Sequence, residues 1–465
     1  MSAPTQLVRG MGLRTVVSTS TGLAFAAIEY LAVAGLLTVV AGRLAWVAVV
    51  VAGVLVLSAW GFYGELNGLF PTAAAIRLWM SKSMDDRVAL TVTFAYMSTI
   101  VLVLAADAYI VGSAVAHVLG QPEWLTTLYI GGLLVVAAAV NLRGVALAGR
   151  VQDVATYLVI AATAVVAVIA VLHAPSHAGL VADAARPHGA GDFLKAVALG
   201  ILLYSAFEWV TTNAEEVRDP RLIPRGMLIA LGVLGVTCAL LAYGMGRLLS
   251  AHELASAYPQ LYLGERAAGQ AGLVVMCAVT AVTALNTFNG GFITASRFVY
   301  ATAREGALPP AFARLNTAAV PWVPVVVLAG ASLATAVVVS LTGAWQAILA
   351  TGAALESVIY AVAGYCVLVL RRRMPEAQRP FRLRFGVPLA VAGIVVFGLL
   401  ALVASVSVGS AVSVTPLLIT AGVTALALGY VLVGLPRVRA AEAARQAARQ
   451  PRRRRQEGAS RAVEP

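Results

Sequence analysis

Four carboxylates, Glu29, Asp107, Glu208 and Glu356, stand inside long apolar stretches of this 465-residue chain, with no Lys or Arg deep in those stretches to pair with them. A charged side chain at the middle of a bilayer costs several kcal/mol, so each such residue is a functional candidate. An unpaired buried carboxyl either keeps a proton or faces water and a cation. One alone could be a protonated group bonded to a neighbouring carbonyl; four together point to proton or cation traffic. Glu208 is the sharpest of them, because Leu202-Leu203-Tyr204-Ser205-Ala206-Phe207-Glu208-Trp209 sets small and aromatic residues beside a carboxylate. Small residues let a helix break or another backbone come close, and aromatic faces cover cations. Ser18-Thr19-Ser20-Thr21-Gly22 is a similar run of small and hydroxylated residues, which weakens a helix and leaves backbone N–H groups able to hold an anion.

The elements that position these groups are membrane helices. Sixty per cent of the residues are hydrophobic, 12% are charged and the mean hydropathy is +0.87, outside the range of soluble domains. A lipid core about 30 Å thick takes roughly 20 helical residues per crossing. Twelve spans are predicted: Thr15 to Val39, Trp46 to Phe70, Val88 to Val118, Leu125 to Leu142, Gln152 to His173, Phe193 to Asn213, Gly226 to Leu249, Ala267 to Tyr300, Trp322 to Leu341, Trp345 to Leu370, Val387 to Val406 and Ala411 to Gly434. The runs do not alternate in polarity as barrel strands do. Of the 33 Lys and Arg, all but Arg43, Arg186, Lys195, Arg247 and Arg266 fall on one side of this topology, which predicts a plasma-membrane protein with both termini cytoplasmic. The net charge of +12 follows from that asymmetry and the Arg452–Arg455 tail, so a lipid surface and not nucleic acid is the expected contact.

Other chemistries find little support. Cys238, Cys277 and Cys366 lie within spans without CxxC spacing, and the first apolar run is too long for a cleavable signal peptide. His252-Glu253 begins like a zinc-protease motif, but Ser256 stands where the second His belongs. His117, His173, His177, His188 and His252 have no metal-ligand spacing, so neither metal, cofactor nor enzyme activity is expected. A channel or a transporter-like receptor on the same fold remains an alternative. Asn286, Thr287, Asn289, Tyr109 and Tyr360 are polar groups in spans, read chiefly as interhelical glue. Thr280, Thr283 and Thr287 could serve sodium or bond back to their own helix.

Several segments resemble the amino acid permeases of the amino acid, polyamine and organocation superfamily. Gly64-Glu65-Leu66-Asn67-Gly68-Leu69-Phe70-Pro71-Thr72-Ala73-Ala74 resembles that family's E-L-x-x-x-F-P-x-x-G-G after the second span. Asn141-Leu142-Arg143-Gly144 with Gly149 to Val154 is similar to the loop between spans four and five. Phe207-Glu208 with Ala214-Glu215-Glu216-Val217-Arg218-Asp219-Pro220 and Ile223-Pro224 resembles the sixth span and its exit. Ala303 to Pro309 and Arg379-Pro380-Phe381 match two later loops. The resemblance runs from about Thr15 to Leu435.

It implies an all-α integral membrane protein with a five-plus-five inverted repeat, broken helices one and six, and two extra C-terminal helices. The parts would be a cytoplasmic N-terminus (1–14), a first repeat (15–173), a second repeat (193–370), the extra pair (387–434) and a disordered basic tail (435–465). It also implies a secondary transporter working by alternating access, proton-coupled or exchanging, for amino acids or related amines. The carboxylates favour a cationic amino acid or polyamine; a neutral amino acid, with the carboxylates used for protons, is the alternative. By position, backbone amides at Ser20, Thr21 and Gly22 would cradle a substrate carboxylate. Tyr204, Ser205, Ala206, Phe207 and Trp209 would meet its amino end. Glu208, Glu29, Asp107 and Glu356 would serve proton or cation coupling, with Asn286, Asn289 and Tyr109 as further candidates. The usual glycine of span six reads Ala206, and a lysine of some proton-coupled relatives reads Val159.

Overall fold

A backbone surrounded by lipid must bond to itself, so apolar runs of this length become helices. The computed structural model describes residues 9–25, 33–122, 125–173, 189–408 and 411–441, and Glu29 lies outside them. Among the described residues, ten helical segments are long and apolar enough to cross a membrane, and Thr126–Leu142 is a shorter apolar helix. In chain order the helices are α1 (Leu13–Ala24), α2 (Val33–Ala41), α3 (Ala45–Leu69), α4 (Ala75–Ser83), α5 (Asp86–Val118), α6 (Thr126–Leu142), α7 (Val145–His173) and α8 (Ala190–Gly200). There follow α9 (Leu222–Leu248), α10 (Ala251–Leu254), α11 (Pro259–Arg304), α12 (Trp322–Thr342), α13 (Trp345–Arg373), α14 (Gly386–Ser405) and α15 (Thr415–Gly429). A two-residue hairpin, Ser407–Val408 with Ala411–Val412, joins the last two.

The sixth span breaks inside the protein. Helix α8 tightens into a 3₁₀ turn over Ile201–Tyr204, Ser205 is extended, and Ala206 turns left-handed at φ 66°. The chain then continues as 3₁₀ through Phe207–Asn213. Most of this span is enclosed, 83% of its most apolar window being buried against 11% for the last span. Enclosure is required, since an interrupted helix leaves backbone groups that lipid cannot satisfy. Helices α1, α3 and α9 pack around it, with α11 against its second half.

In the first span the run from Ser18 to Gly22 does not interrupt the helix. Ser18 to Gly22 remain helical in α1, and the helix ends at Ala24, before α2 begins at Val33. The cause is tertiary: α1 is buried against α7, α9 and α11, Gln152 and Thr156 of α7 and Asn286 of α11 bond its carbonyls, and packing overrides weak propensity. The eighth span also differs, because α11 begins at Pro259 and kinks at Ala268–Gly269, where Gly269 takes φ 61°.

Alanine in the left-handed region carries about 1–2 kcal/mol of strain that glycine does not. Ala206→Gly is therefore expected to gain up to about 1 kcal/mol of stability after glycine's added unfolded-state entropy, and Ala206→Val to lose stability. Thermal unfolding of the detergent-purified variants checks this, and a destabilised glycine variant would contradict the strained backbone.

Candidate functional site

Immediately after the break, Glu208 is the second residue of the 3₁₀ segment and is fully buried. The Tyr96 hydroxyl on α5 donates to one carboxyl oxygen of Glu208, and the Tyr360 hydroxyl on α13 donates to the other at 3.1 Å. Glu356 precedes Tyr360 by four residues, which puts both on one face of α13, and its buried carboxyl lies close enough to Glu208 for the two to interact. Aromatic rings enclose this pair. Trp209 stacks on Tyr96 with centroids 4.8 Å apart, and Phe207 lies 6.2 Å from Tyr360 and 6.4 Å from Tyr63 of α3. No salt bridge among the described residues reaches Glu208. Two of the four singled-out carboxylates thus meet, while Asp107, also buried, lies 11 residues beyond Tyr96 on α5, about 16 Å along the axis. Tyr109 sits at that distant level too.

Helix α1 packs against the broken span, and among the described residues the buried hydroxyls of its Thr19, Ser20 and Thr21 have no hydrogen-bond partner. Unpartnered buried hydroxyls cost free energy and mark a place where another molecule can supply the bond. The expected amide cradle is not open here, because Ser20, Thr21 and Gly22 lie within α1 and their N–H groups take helical bonds. What α1 offers at its C-terminal end is carbonyls.

Behind α1 runs a buried polar network. Thr156 of α7 donates to the Ser18 carbonyl at 3.0 Å, and Asn286 of α11 donates to Thr156 at 3.0 Å and the Gly22 carbonyl at 3.4 Å. Asn289 donates to Gln152 at 2.9 Å and to the Ala148 carbonyl at 2.8 Å, and accepts from Asn141 of α6 at 2.8 Å. The Ser18 hydroxyl donates to Asp153. Asn286 and Asn289 thus tie α11 to α1, α6 and α7. Thr280, Thr283 and Thr287 donate to their own helix four residues back, at 2.7, 2.7 and 3.0 Å, leaving no hydroxyl proton turned outward.

Tyr204 departs from its expected role. Its hydroxyl donates to the Val49 carbonyl of α3 at 2.9 Å, and its ring lines a groove between α3 and α9. The 3₁₀ tightening turns this side chain away from Glu208, while Phe207 and Trp209 point toward the aromatic enclosure.

The arginine-bearing face is closed by ion pairs that sequence reasoning treated only as motif letters. Arg297, 1% exposed on α11, bonds Glu216 at 3.1 and 3.3 Å, and Asn213 adds a bond at 2.9 Å. The Glu216 carbonyl accepts from Gly10 and Met11, and Arg218 donates to Met11, so the N-terminal segment is latched to the exit of span six. Glu65 of α3 accepts two bonds from Arg371 and one from the Leu383 amide, with Arg379 at 3.3 Å. At the opposite end, Glu253 is committed to a capping box with Ser250 and a pair with Arg266. Burial pushes its carboxyl up, but the Ser250 bonds and Arg266 outweigh this and hold it below the usual range.

A sequence profile described as "Amino acid permease" matches residues 11–430 of this chain. The chain is 26% identical over 195 residues to the inner membrane transport protein YbaT of Escherichia coli, a match covering 40% of this chain and 44% of that protein. It is 26% identical over 204 residues to the Asc-type amino acid transporter 1 of Mus musculus, covering 43% and 37%. These matches span less than half the length of either relative. In fold it is similar to a manganese transporter mutant of Eremococcus coleocola, with TM-score 0.59, 14% identity, and 94% and 98% of the two chains covered.

Gly22 sits against the network so closely that a Cβ there would fall 2.2 Å from Gln152 Nε2, 2.4 Å from Thr156 Oγ1 and 2.7 Å from Asn286 Nδ2. Gly22→Ala is expected to cost about 1–3 kcal/mol by forcing these bonded groups apart. An unchanged melting temperature for that variant would contradict the packing described.

Proposed function

Because the chain belongs to the amino acid permease family, and so to transporters and not enzymes, we propose that it moves amino acids across the plasma membrane by alternating access coupled to protons. The proposed topology has twelve crossings, both termini cytoplasmic and a five-plus-five inverted repeat. Substrate sits between α1 and the break at Ser205–Ala206, where the hydroxyls of Thr19, Ser20 and Thr21 lack partners and the backbone is interrupted.

The observation that carries the proton reading is the placement of two buried carboxyls about Tyr360: its phenol bonds Glu208, and Glu356 stands one helical turn before it on α13. Two carboxylates close together in a low-dielectric site do not both ionise, so the pair shares a proton and keeps one negative charge. The Tyr96 and Tyr360 hydroxyls donate to Glu208 and stabilise that remaining charge. As the proton moves on or off, the phenols and α13 must adjust, which ties protonation to the position of span six. The same single charge inside aromatic rings favours a second reading, a basic amino acid or polyamine as substrate.

Glu208→Gln keeps the phenol bonds in reach and removes the titrating group. The variant is expected to fold and to lose the pH dependence of radiolabelled amino acid uptake between pH 5 and 8, with net uptake reduced about tenfold or more. Uptake with unaltered pH dependence contradicts the assignment. A thermal-shift screen separates the two substrate readings, since a bound ligand raises stability by RT ln(1 + [L]/Kd): diamines and basic amino acids stabilise under the second reading, neutral amino acids under the first.

A further inference from the structure

Away from the carboxyl pair, at the arginine-bearing end, a cavity of about 500 Å³ opens between the end of α3, the start of α9 and the loop before α14. Its walls are held in place. The Trp60 indole donates to the Pro224 carbonyl at 2.8 Å and meets Phe381 edge-on at 5.2 Å. Gly64 and Gly68 admit Phe381 and Pro380 to within 3.0 and 3.4 Å of where a Cβ would stand.

Three observations identify the kind of molecule this cavity takes. First, Asn67 lines it, is 1% exposed, and neither its side-chain nitrogen nor its oxygen has a hydrogen-bond partner; a buried amide so placed asks for a ligand with both polarities. Second, Arg221 and Arg225 line the same cavity at the N-terminal end of α9, and among the described residues neither forms a salt bridge. Asp219 lines the cavity too, one of its carboxyl oxygens accepting from the Arg221 amide at 2.9 Å, so the two guanidiniums leave the lining with a net charge of +1. Two cations and a helix N-terminus together recognise a phosphate.

Third, Leu228 is shared with a second, apolar groove of about 490 Å³ between α3 and α9, lined by Val50, Val54, Leu57, Val236 and Leu240. Val54 is 62% exposed and Val236 63% exposed, on surfaces that face lipid. From Arg225 to Leu240 the seam runs 15 residues, about 22 Å, which exceeds the ~15 Å of hydrocarbon in one leaflet. Phosphate-binding charges at one end and a lipid-facing apolar channel leading from them match a single amphiphile.

We propose that the two cavities, adjoining at Leu228, form a binding site for one anionic phospholipid, its phosphate at Arg221 and Arg225, its ester region at Asn67 and an acyl chain in the α3–α9 groove. The lipid bridges α3, α9 and the Pro380–Phe381 loop, and so braces the same loop that Arg379 ties to Glu65.

Thermal unfolding of the full-length protein in detergent tests this, with phosphatidylglycerol, phosphatidylcholine of identical chains, and inorganic phosphate as separate additions. Phosphatidylglycerol is expected to raise the melting temperature well above the effect of phosphatidylcholine, and inorganic phosphate to have no such effect. In the double variant Arg221→Gln/Arg225→Gln the half-saturating phosphatidylglycerol concentration should rise about tenfold or more. Val54→Trp, at an exposed position, should weaken the response by filling the groove while leaving the charges intact. Equal shifts with both lipids, an undiminished phosphatidylglycerol response in both variants, or an equal shift with phosphate alone would overturn the site.

Discussion

Unwinding a helix within a membrane strands backbone N–H and C=O groups where no water can satisfy them. The break at Ser205–Ala206 is such a place, and much of the architecture is arranged around it. Helices α1, α3, α9 and α11 enclose the span, while α5 and α13 bring Tyr96, Tyr360 and Glu356 to the residue three positions after Ser205. A continuous helix would bond its own backbone and leave less reason to collect polar side chains there. The interruption thus sets where chemistry can occur in an otherwise apolar body, and α1, which carries three buried hydroxyls without a partner among the described residues, packs against the same segment.

The ends of the spans add a second constraint. Arg297 and Glu216, both 1% exposed, form a pair whose desolvation consumes much of its Coulomb attraction, so its net contribution to stability is small while the loss of either partner is severe. A contact with that profile suits a closure that forms in one conformation and is hydrated in another. It joins α11 to the exit of span six, and backbone bonds from Gly10 and Met11 fasten the N-terminal segment to the same point. The Glu65, Arg371 and Arg379 cluster does the equivalent for α3 and α13. In the proposed transport cycle these two clusters are the bonds that opening toward the arginine-bearing face has to break.

Hydropathy made most helices legible, because twenty apolar residues in lipid admit few alternatives. Glu208 and Glu356 stand out in the sequence as carboxyls within apolar runs, but their proximity does not: Glu208 and its Tyr360 partner are 152 positions apart, and only the packing of α13 on the broken span joins them. Ser18 to Gly22 misled, because local propensity argues for a weak helix while Gln152, Thr156 and Asn286 hold that helix from outside. The same residues show what a single sequence hides, since Gln152 and Thr156 have no spacing that announces a network. Tyr204 misled for a different reason: a shift from α to 3₁₀ geometry rotates a side chain off its expected face. Arg297 read as an ordinary positive charge near a span end, and its burial depends wholly on the approach of Glu216.

The account turns on whether Glu208 and Glu356 carry a proton through the cycle. The most direct measurement is the internal pH of proteoliposomes, reported by a trapped dye, when a transported amino acid is added outside without an imposed pH gradient. Acidification that tracks amino acid entry and disappears in the Glu208→Gln protein is the result the account requires. Amino acid entry at full rate with no movement of internal pH would contradict it.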